Sequence, residues 1–340
     1  MGHTRTLTLI GLLLLTAALY SPLRSASFVF EDAKAVIQAP EWSMPGRGMS
    51  QWTWQAIGPK PDIAHLVNVG LHLVNGGLVA ALGTALAGPT VGVVAAGVLL
   101  LHPLSSEAVS YVTGRADLLV TLFVLLSVWL AVRWSQDGGA WRLGIAGASL
   151  VLASMSKEIG LIGVPLVAWT VIAFRGRLPQ SPAFLQALWL GLGLTVGFTW
   201  HRISGWIAMS SDNGGSLFAW PEFVGLQLVA VWRLLMLTVW PVGFTIDPDI
   251  VGMADRHVAA GIRTLAAAIL GVWAWKRAPL TTWALGWVAI CVAPRFIFAT
   301  NEFLKEYQFV TAWAGLSVLC AVALVGACPS PAPVWRERTA

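Results

Sequence analysis

Residues 64–86 read Ala64-His65-Leu66-Val67-Asn68-Val69-Gly70-Leu71-His72-Leu73-Val74-Asn75-Gly76-Gly77-Leu78-Val79-Ala80-Ala81-Leu82-Gly83-Thr84-Ala85-Leu86, without one Asp, Glu, Lys or Arg. As an α-helix this run rises about 35 Å at 1.5 Å per residue, enough to cross roughly 30 Å of hydrocarbon. Its polar side chains are not spread evenly. At 100° per residue, His65, Asn68, His72 and Asn75 fall in one stripe about 80° wide. Such a stripe must face protein or water, and two readings stand: interhelical hydrogen bonds between packed helices, or histidines that take part in chemistry.

Runs of the same kind recur on both sides of this stretch. They predict spans at 6–22, 64–86, 89–103, 116–134, 141–155, 158–174, 183–201, 258–276, 279–298 and 309–328. Residues 222–241 are apolar enough to be an eleventh, but Arg233 favours a helix lying in the interface. The chain is 57% hydrophobic and 11% charged, against about 25% charged in soluble domains. The fold class expected is therefore an all-α polytopic membrane protein of about ten or eleven transmembrane helices, with interfacial helices at the outer face. Its expected organisation is a membrane domain over 1–328, with outer loops 23–63 and 202–221, and a short disordered cytoplasmic tail over 329–340.

The net charge of +5 comes from basic residues scattered at segment ends, which fits topology rather than nucleic-acid binding. With the N-terminus inside, Arg133, Arg142, Arg175, Arg177, Lys276, Arg277, Arg336 and Arg338 all fall in the cytoplasm. Arg5, the apolar run Leu7–Leu19 and Ser25-Ala26-Ser27 also fit a cleavable signal peptide; an uncleaved first helix is the reading taken. Tryptophans such as Trp52, Trp54, Trp141 and Trp220 fit interfacial anchors. Cys291, Cys320 and Cys328 have no metal-like spacing.

Ionisable groups near span ends on one side are candidate site residues. Glu31-Asp32 follow the apolar triplet Phe28-Val29-Phe30, where an ordinary polar helix end is the bland reading. Glu107, Arg115 and Asp117 sit at one outer turn, read either as an internal salt bridge or as an anion site at a helix N-terminus. Lys157-Glu158 divide two apolar runs with almost no loop. Arg233, Lys305 and Glu306 add charge to later outer turns. Together these carboxylates, cations and the polar stripe suit handling of an anionic lipid headgroup, where a base deprotonates an acceptor hydroxyl and cations absorb leaving-group charge.

Phe28-Val29-Phe30-Glu31-Asp32, His65-Leu66-Val67-Asn68 with His72, His102-Pro103 with Glu107-Ala108-Val109, Gly114-Arg115-Ala116-Asp117-Leu118-Leu119, and Ser156-Lys157-Glu158 follow one another over about 130 residues. In this order they resemble the transmembrane and tetratricopeptide-repeat O-mannosyltransferases and their bacterial relatives, within the GT-C glycosyltransferases. Pro241–Asp247 and Glu306-Tyr307-Gln308-Phe309 are similar to two further stretches of that family. The resemblance implies a GT-C-type helix bundle that transfers mannose or another hexose from a polyprenyl-phosphate donor, with inversion, at the non-cytoplasmic face. It implies Asp32 as general base with Glu31 next. Around the same cleft it implies donor-phosphate or substrate contacts from Glu107, Arg115, Asp117, Lys157, Glu158, His65, His72, Arg233 and Glu306.

The expected partners are a lipid-linked sugar donor, a protein or glycan acceptor and membrane lipids, in a bacterial cytoplasmic membrane with the site facing outward. No tetratricopeptide repeats follow, so a relative without the repeat domain is expected. No ligand spacing demands a metal, although a cation near Glu31 and Asp32 is compatible with the residues. A polar-lipid transporter and a catalytically silent scaffold are the competing readings; the first calls for broken helices or an internal repeat that the sequence does not display, and the second leaves the clustered acids and bases without a reason.

Overall fold

The computed structural model describes residues 2–29, 32, 48–174, 193, 197, 220–275, 277–297 and 303–327, and every regular element among them is helical. Nearly all of the expected span 183–201 and of loop 202–221, residues 30, 31 and 33–47 of loop 23–63 with Glu31 among them, Arg175, Arg177, Lys276 and the tail from Cys328 lie outside the described residues. The principal helices are α1 (Gly2–Leu19), α2 (Gly48–Ile57), α3 (Pro61–Ala87), α4 (Pro89–Leu101), α5 (Ser106–Ser110), α6 (Arg115–Asp137) and α7 (Ala140–Ser156). They continue with α8 (Gly163–Ala173), α9 (Trp220–Leu237), α10 (His257–Ala274), α11 (Pro279–Val292) and α12 (Val310–Ala327).

Local chemistry sets several of these boundaries. Pro61, Pro89 and Pro279 open α3, α4 and α11, where a fixed φ helps and the missing N–H costs nothing. Gly88 joins α3 to α4 at φ 96°, and Gly138-Gly139 join α6 to α7 at φ 72° and 89°; left-handed backbone of this kind favours glycine. At the second turn Asp137 pairs with Arg133 and Arg142, two of the basic residues expected on the inner side.

Among the described residues, six helical segments are long and apolar enough to cross a bilayer: His3–Ser25, Pro61–Ala87, Val112–Asp137, Trp220–Leu237, Val251–Ala274 and Tyr307–Gly326. The chain is thus an integral membrane protein. Pro89–Leu101 and Pro103–Ser110 would make a seventh span, but they are bent by 59°; we read α4 as the membrane part and α5 as lying across its outer end. Ala140–Ser156 and Glu158–Ala173 are shorter apolar helices. Of the ten expected spans, all but 183–201 fall on described helices, so the hydrophobic runs locate the helices even where length alone does not make each a crossing.

Buried α6 is the central post, flanked by α3, α7, α8 and α12. Thr121 of α6 meets Thr311 of α12 at 2.7 Å. Tryptophans brace α8, α11 and α12: Trp169 donates to the Trp283 carbonyl, Trp283 to Thr170, and Trp287 to the Thr311 carbonyl, each within 2.9 Å. By contrast α1 and α10 leave most of their apolar surface exposed, as lipid-facing helices do.

Near the end of the chain, α9 departs from up-and-down order. A Cβ on Gly225 would lie 3.2 Å from His257 Cβ, and Trp232 Nε1 donates to Thr264 Oγ1 at 2.9 Å. Both pairs are separated by 32 residues, so α9 and α10 run parallel and the return falls to residues 238–250, before the helical segment Val251–Ala274. The apolar run at 222–241 is therefore not one arm of an antiparallel hairpin with α10.

Small residues let α3 and α4 approach closely. A Cβ on Gly92 would stand 2.3 Å from the Ala80 carbonyl oxygen and 2.8 Å from Thr84 N, both backbone atoms, whereas one on Gly97 meets nothing nearer than Leu12 at 3.5 Å. Gly92→Val should lower stability by about 1–3 kcal/mol through overpacking, read as a fall in the thermal-unfolding midpoint of detergent-purified protein. Gly97→Ala should leave that midpoint within a degree or two.

Candidate active site

The turns at one end of the bundle, those expected on the outer side, converge where α3 begins, α4 ends, α6 begins and α7 ends. Asn68, about two turns inside α3, organises them. Its Nδ2 points at the carbonyls of Val109, Tyr111 and Val112 at 3.1–3.4 Å, and its Oδ1 accepts from Arg115 Nε at 3.1 Å. His72 Nε2 lies 3.3 Å from the Leu100 carbonyl, and Asn75 Nδ2 donates to the Leu118 carbonyl at 3.1 Å. Three members of the polar stripe thus join helices. The fourth, His65, is 2% exposed, and no hydrogen-bond partner among the described residues meets either ring nitrogen.

Asp32 is fully buried against the Val112–Gly114 turn. Its Oδ1 accepts from Thr113 N at 2.8 Å and Thr113 Oγ1 at 2.7 Å; its Oδ2 accepts from Val29 N and Val112 N, both at 3.3 Å. A carboxylate offers about four acceptor positions, so Asp32 is saturated. Its bonds pin the first outer segment to the turn that presents Arg115. Glu31 lies outside the described residues.

Arg115 opens α6, is 0% exposed, and gives Nη2 to the Ala64 carbonyl at 3.0 Å. The Trp54 ring of α2 lies 4.1 Å from its Cζ, and α2 is tied to the end of α7 by Ser50 Oγ donating to the Ser156 carbonyl. Nη1 of Arg115 is buried with no partner among the described residues. A guanidinium remains charged inside proteins, so this is cationic donor capacity held in reserve.

Asp117 stands two residues along α6, about 200° round the helix from Arg115. It belongs to a different group. Lys157 Nζ lies 2.8 and 3.0 Å from its two carboxylate oxygens and 5.4 Å from the centre of the Tyr307 ring. Tyr307 packs edge-on against Tyr111 at 5.4 Å and gives its backbone N–H to Glu107 Oε2 at 2.9 Å. Next to it, Glu306 Oε1 accepts from Arg233 Nη2 at 2.8 Å and Thr245 N at 3.2 Å, while Arg233 Nη2 also donates to the Gly243 carbonyl at 3.0 Å. Glu158, half-buried, begins the 3-10 turn after Lys157.

The candidate residues therefore form two adjoining groups around the first turn of α6. One holds Asp32, His65, Asn68 and Arg115; the other holds Asp117, Lys157, Glu107, Glu306 and Arg233, with Tyr307 among them. His72 sits deeper, its ring edge-on to Tyr20 at 5.8 Å. Trp54 reads in sequence as an interfacial anchor, and nothing in the spacing marks it as the cover of Arg115. Tyr111 likewise carries no signal, since a lone aromatic in a turn is unremarkable. Among the described residues, no group of three His, Cys, Asp or Glu side chains is arranged to hold a metal. Burial pushes the Glu107 carboxyl up to about 7, opposed by the Tyr307 N–H and reinforced by the charge of Glu306. An open apolar groove of about 520 Å³ runs between α1 and α4, past Leu12, Val94 and Leu101 to His102 and Pro103; it is set on the lipid side, away from both charged groups.

No protein-family model matches the chain. It is similar to a protein O-mannosyl-transferase of Caenorhabditis elegans, 24% identical over 234 residues that cover 65% of this chain and 33% of that protein. A protein O-mannosyl-transferase of Drosophila melanogaster is 30% identical over 190 residues, 45% of this chain and 20% of its own length. One of Mus musculus is 36% identical over 104 residues, 28% and 12% respectively. The chain spans a third or less of the length of these relatives. Among solved structures, the apo form of an Archaeoglobus fulgidus oligosaccharyltransferase superposes with a TM-score of 0.46 at 12% identity, covering 93% of this chain and 50% of that one. The resemblance read from the ordered motifs is thus met by O-mannosyltransferases.

Removing one partner of a buried ion pair leaves the other unpaired, at about 3–5 kcal/mol. The side chains of Lys157 and Asp117 are 15% and 4% exposed, so Lys157→Met should destabilise the purified protein by roughly 3 kcal/mol. Adding Asp117→Asn should restore most of that loss in a thermal-unfolding comparison.

Proposed function

We propose that this chain is a membrane glycosyltransferase that moves a hexose, mannose in the first instance, from a polyprenyl-phosphate carrier to an acceptor hydroxyl at the non-cytoplasmic face, with inversion at the anomeric carbon. The observation that carries this reading is Arg115, a buried guanidinium whose Nη1 has no partner among the described residues. Leaving a charged donor unsatisfied in low dielectric is costly. A bound phosphate would satisfy it, and would gain charge as the sugar departs, so the cation stabilises the transition state more than the ground state.

Trp54 covers Arg115, so donor entry requires that ring to move. His65 borders the same space, one residue from the Ala64 carbonyl that Arg115 holds. Lys157 and Arg233, each held by a carboxylate, supply positive potential on the other side of α6, where Asp117, Glu107, Glu158 and Glu306 would meet the acceptor. That acceptor is a protein or glycan hydroxyl, and the membrane proposed is the bacterial cytoplasmic membrane with the site facing outward. Its proton goes to a carboxylate of this face. The motif points to Glu31 and Asp32; Asp32 takes the proton only if the Thr113 hydroxyl gives way at Oδ1.

Arg115→Met keeps side-chain length and removes the cation. Sugar transfer from polyprenyl-phosphate mannose or glucose in membranes should fall by about 100-fold or more, with insertion unchanged. Mass spectrometry of glycans and polyprenyl lipids from cells with and without the protein should show the matching loss of product. Transfer by Arg115→Met at the parent rate, or headgroup movement across the membrane with the sugar still attached, would overturn the proposal.

A further inference from the structure

Contacts between α9 and the bundle fall at one end of it. Going along the helix, Phe223 stacks on Phe303 with ring centres 5.9 Å apart, and Gln227 Oε1 accepts from Leu304 N at 3.3 Å. Arg233 Nη2 then reaches Glu306 at 2.8 Å, and the Thr238 carbonyl, just past the helix, lies beside the ring of His102, the residue after α4. Residues 303–306 lead into α12, and Pro294–Ile297, which α9 also touches, follow α11. These three ends are neighbours: Glu107, beyond α4, accepts from Tyr307 N, and Trp287 of α11 donates to the carbonyl of Thr311, the second residue of α12. A crossing helix meets its neighbours at successive depths. Instead α9 passes from the end of α11, by the entry to α12, to the end of α4.

The return to α10 speaks against a crossing on separate grounds. Residues 238–250 are irregular. The Gly243 carbonyl on Arg233 and Thr245 N on Glu306 tie the middle of this stretch to the level of Arg233. From there the chain reaches His257 beside Gly225, so it runs back about 12 Å along α9 at 1.5 Å per residue. On the way Asp247 is 88% exposed, and Asp249, Asp255 and Arg256 are exposed as well. Irregular backbone facing lipid leaves its N–H and C=O groups unpaired, and exposed charges at membrane depth are costly. Were α9 a span, the return would carry both through hydrocarbon.

The same stretch exposes Val239, Trp240, Val242 and Ile246. Apolar side chains on a backbone that still needs polar partners suit the headgroup layer, which indole rings favour. The position agrees with this: Trp240 stands two residues past Thr238, which lies beside His102, and exposed Leu101 next to His102 lines the lipid-side groove. The stretch is thus continuous with lipid-facing surface.

We infer that α9 does not cross the membrane: it lies across the end of the bundle that holds Arg115, and residues 239–246 form a shelf resting in the lipid headgroup layer on that side. The buried Arg233–Glu306 pair is the tie that holds this cross-beam to the segment before α12. An arginine within an apolar helix has its counter-charge at the bundle end, so it never has to enter hydrocarbon. It follows that α10 enters the bilayer from the side of Arg115. None of this depends on the glycosyl-transfer reading.

Cysteines added one at a time to the full chain test the path, with the parent and its three natural cysteines as background. Lys60→Cys marks the end that holds Arg115, and Gln136→Cys, at the far end of α6, marks the opposite end; both residues are exposed. With a membrane-impermeant maleimide, one marker should label several-fold above the parent in intact cells and the other only after permeabilisation. Glu222→Cys, Val242→Cys and Asp255→Cys should all follow Lys60→Cys. Any of the three following Gln136→Cys, or Val242→Cys reacting only in detergent, would overturn the inference. A fluorescent maleimide on Val242→Cys in phosphatidylcholine vesicles should be quenched several-fold more by a headgroup nitroxide than by one at the acyl-chain end. Stronger quenching from the chain end, or none from either, would overturn the shelf.

Discussion

Asn68 grips three backbone carbonyls with its amide nitrogen and Arg115 Nε with its oxygen. At this depth little water competes, and an amide or guanidinium left unpaired is expensive. The turn 109–115 is therefore held from α3, through the Asn68 amide on its carbonyls and on Arg115 Nε. Everything chemically interesting on that face follows from this grip: the direction of Arg115, the turn on which Asp32 closes, and the exit of α6 toward Asp117 and Lys157.

The same grip explains why acids and bases can stand close together without cancelling. Arg115 is secured by neutral acceptors, the Asn68 amide and the Ala64 carbonyl, and by the face of Trp54. It keeps its positive charge without a direct carboxylate partner. Lys157 and Arg233 are the opposite case, each matched by a buried carboxylate at 2.8 Å. Matched pairs hold the segments around residues 117, 157, 243 and 306 together, whereas an unmatched cation is available to an anion.

Much of this was legible in the sequence. Charge-free runs located nearly every described helix, because the bilayer rewards apolar length and little else. The stripe His65, Asn68, His72 and Asn75 announced a face turned to protein or water. The stretches 241–247 and 306–309, distant in sequence, do meet, through Thr245 N on Glu306. What sequence could not give is division among partners. Spacing puts Arg115 and Asp117 in one cluster, but only the helical rotation between them and the positions of Asn68 and Lys157 separate them. The parallel course of α9 and α10 was equally hidden, since hydropathy has no direction.

That separation bears on how a transfer site can work at all. A phosphate-binding cation and a carboxylate that must take a proton are mutually damaging as neighbours: a direct salt bridge would fill the anion site and hold the carboxylate ionised as a poor base. Arg115 and the Asp117–Lys157 pair stand on opposite sides of one helical turn, about 200° apart, so neither group takes the other's partner. The first turn of α6, fixed by Asn68 from one side and by Lys157 on Asp117 from the other, is the rigid spacer between the two groups.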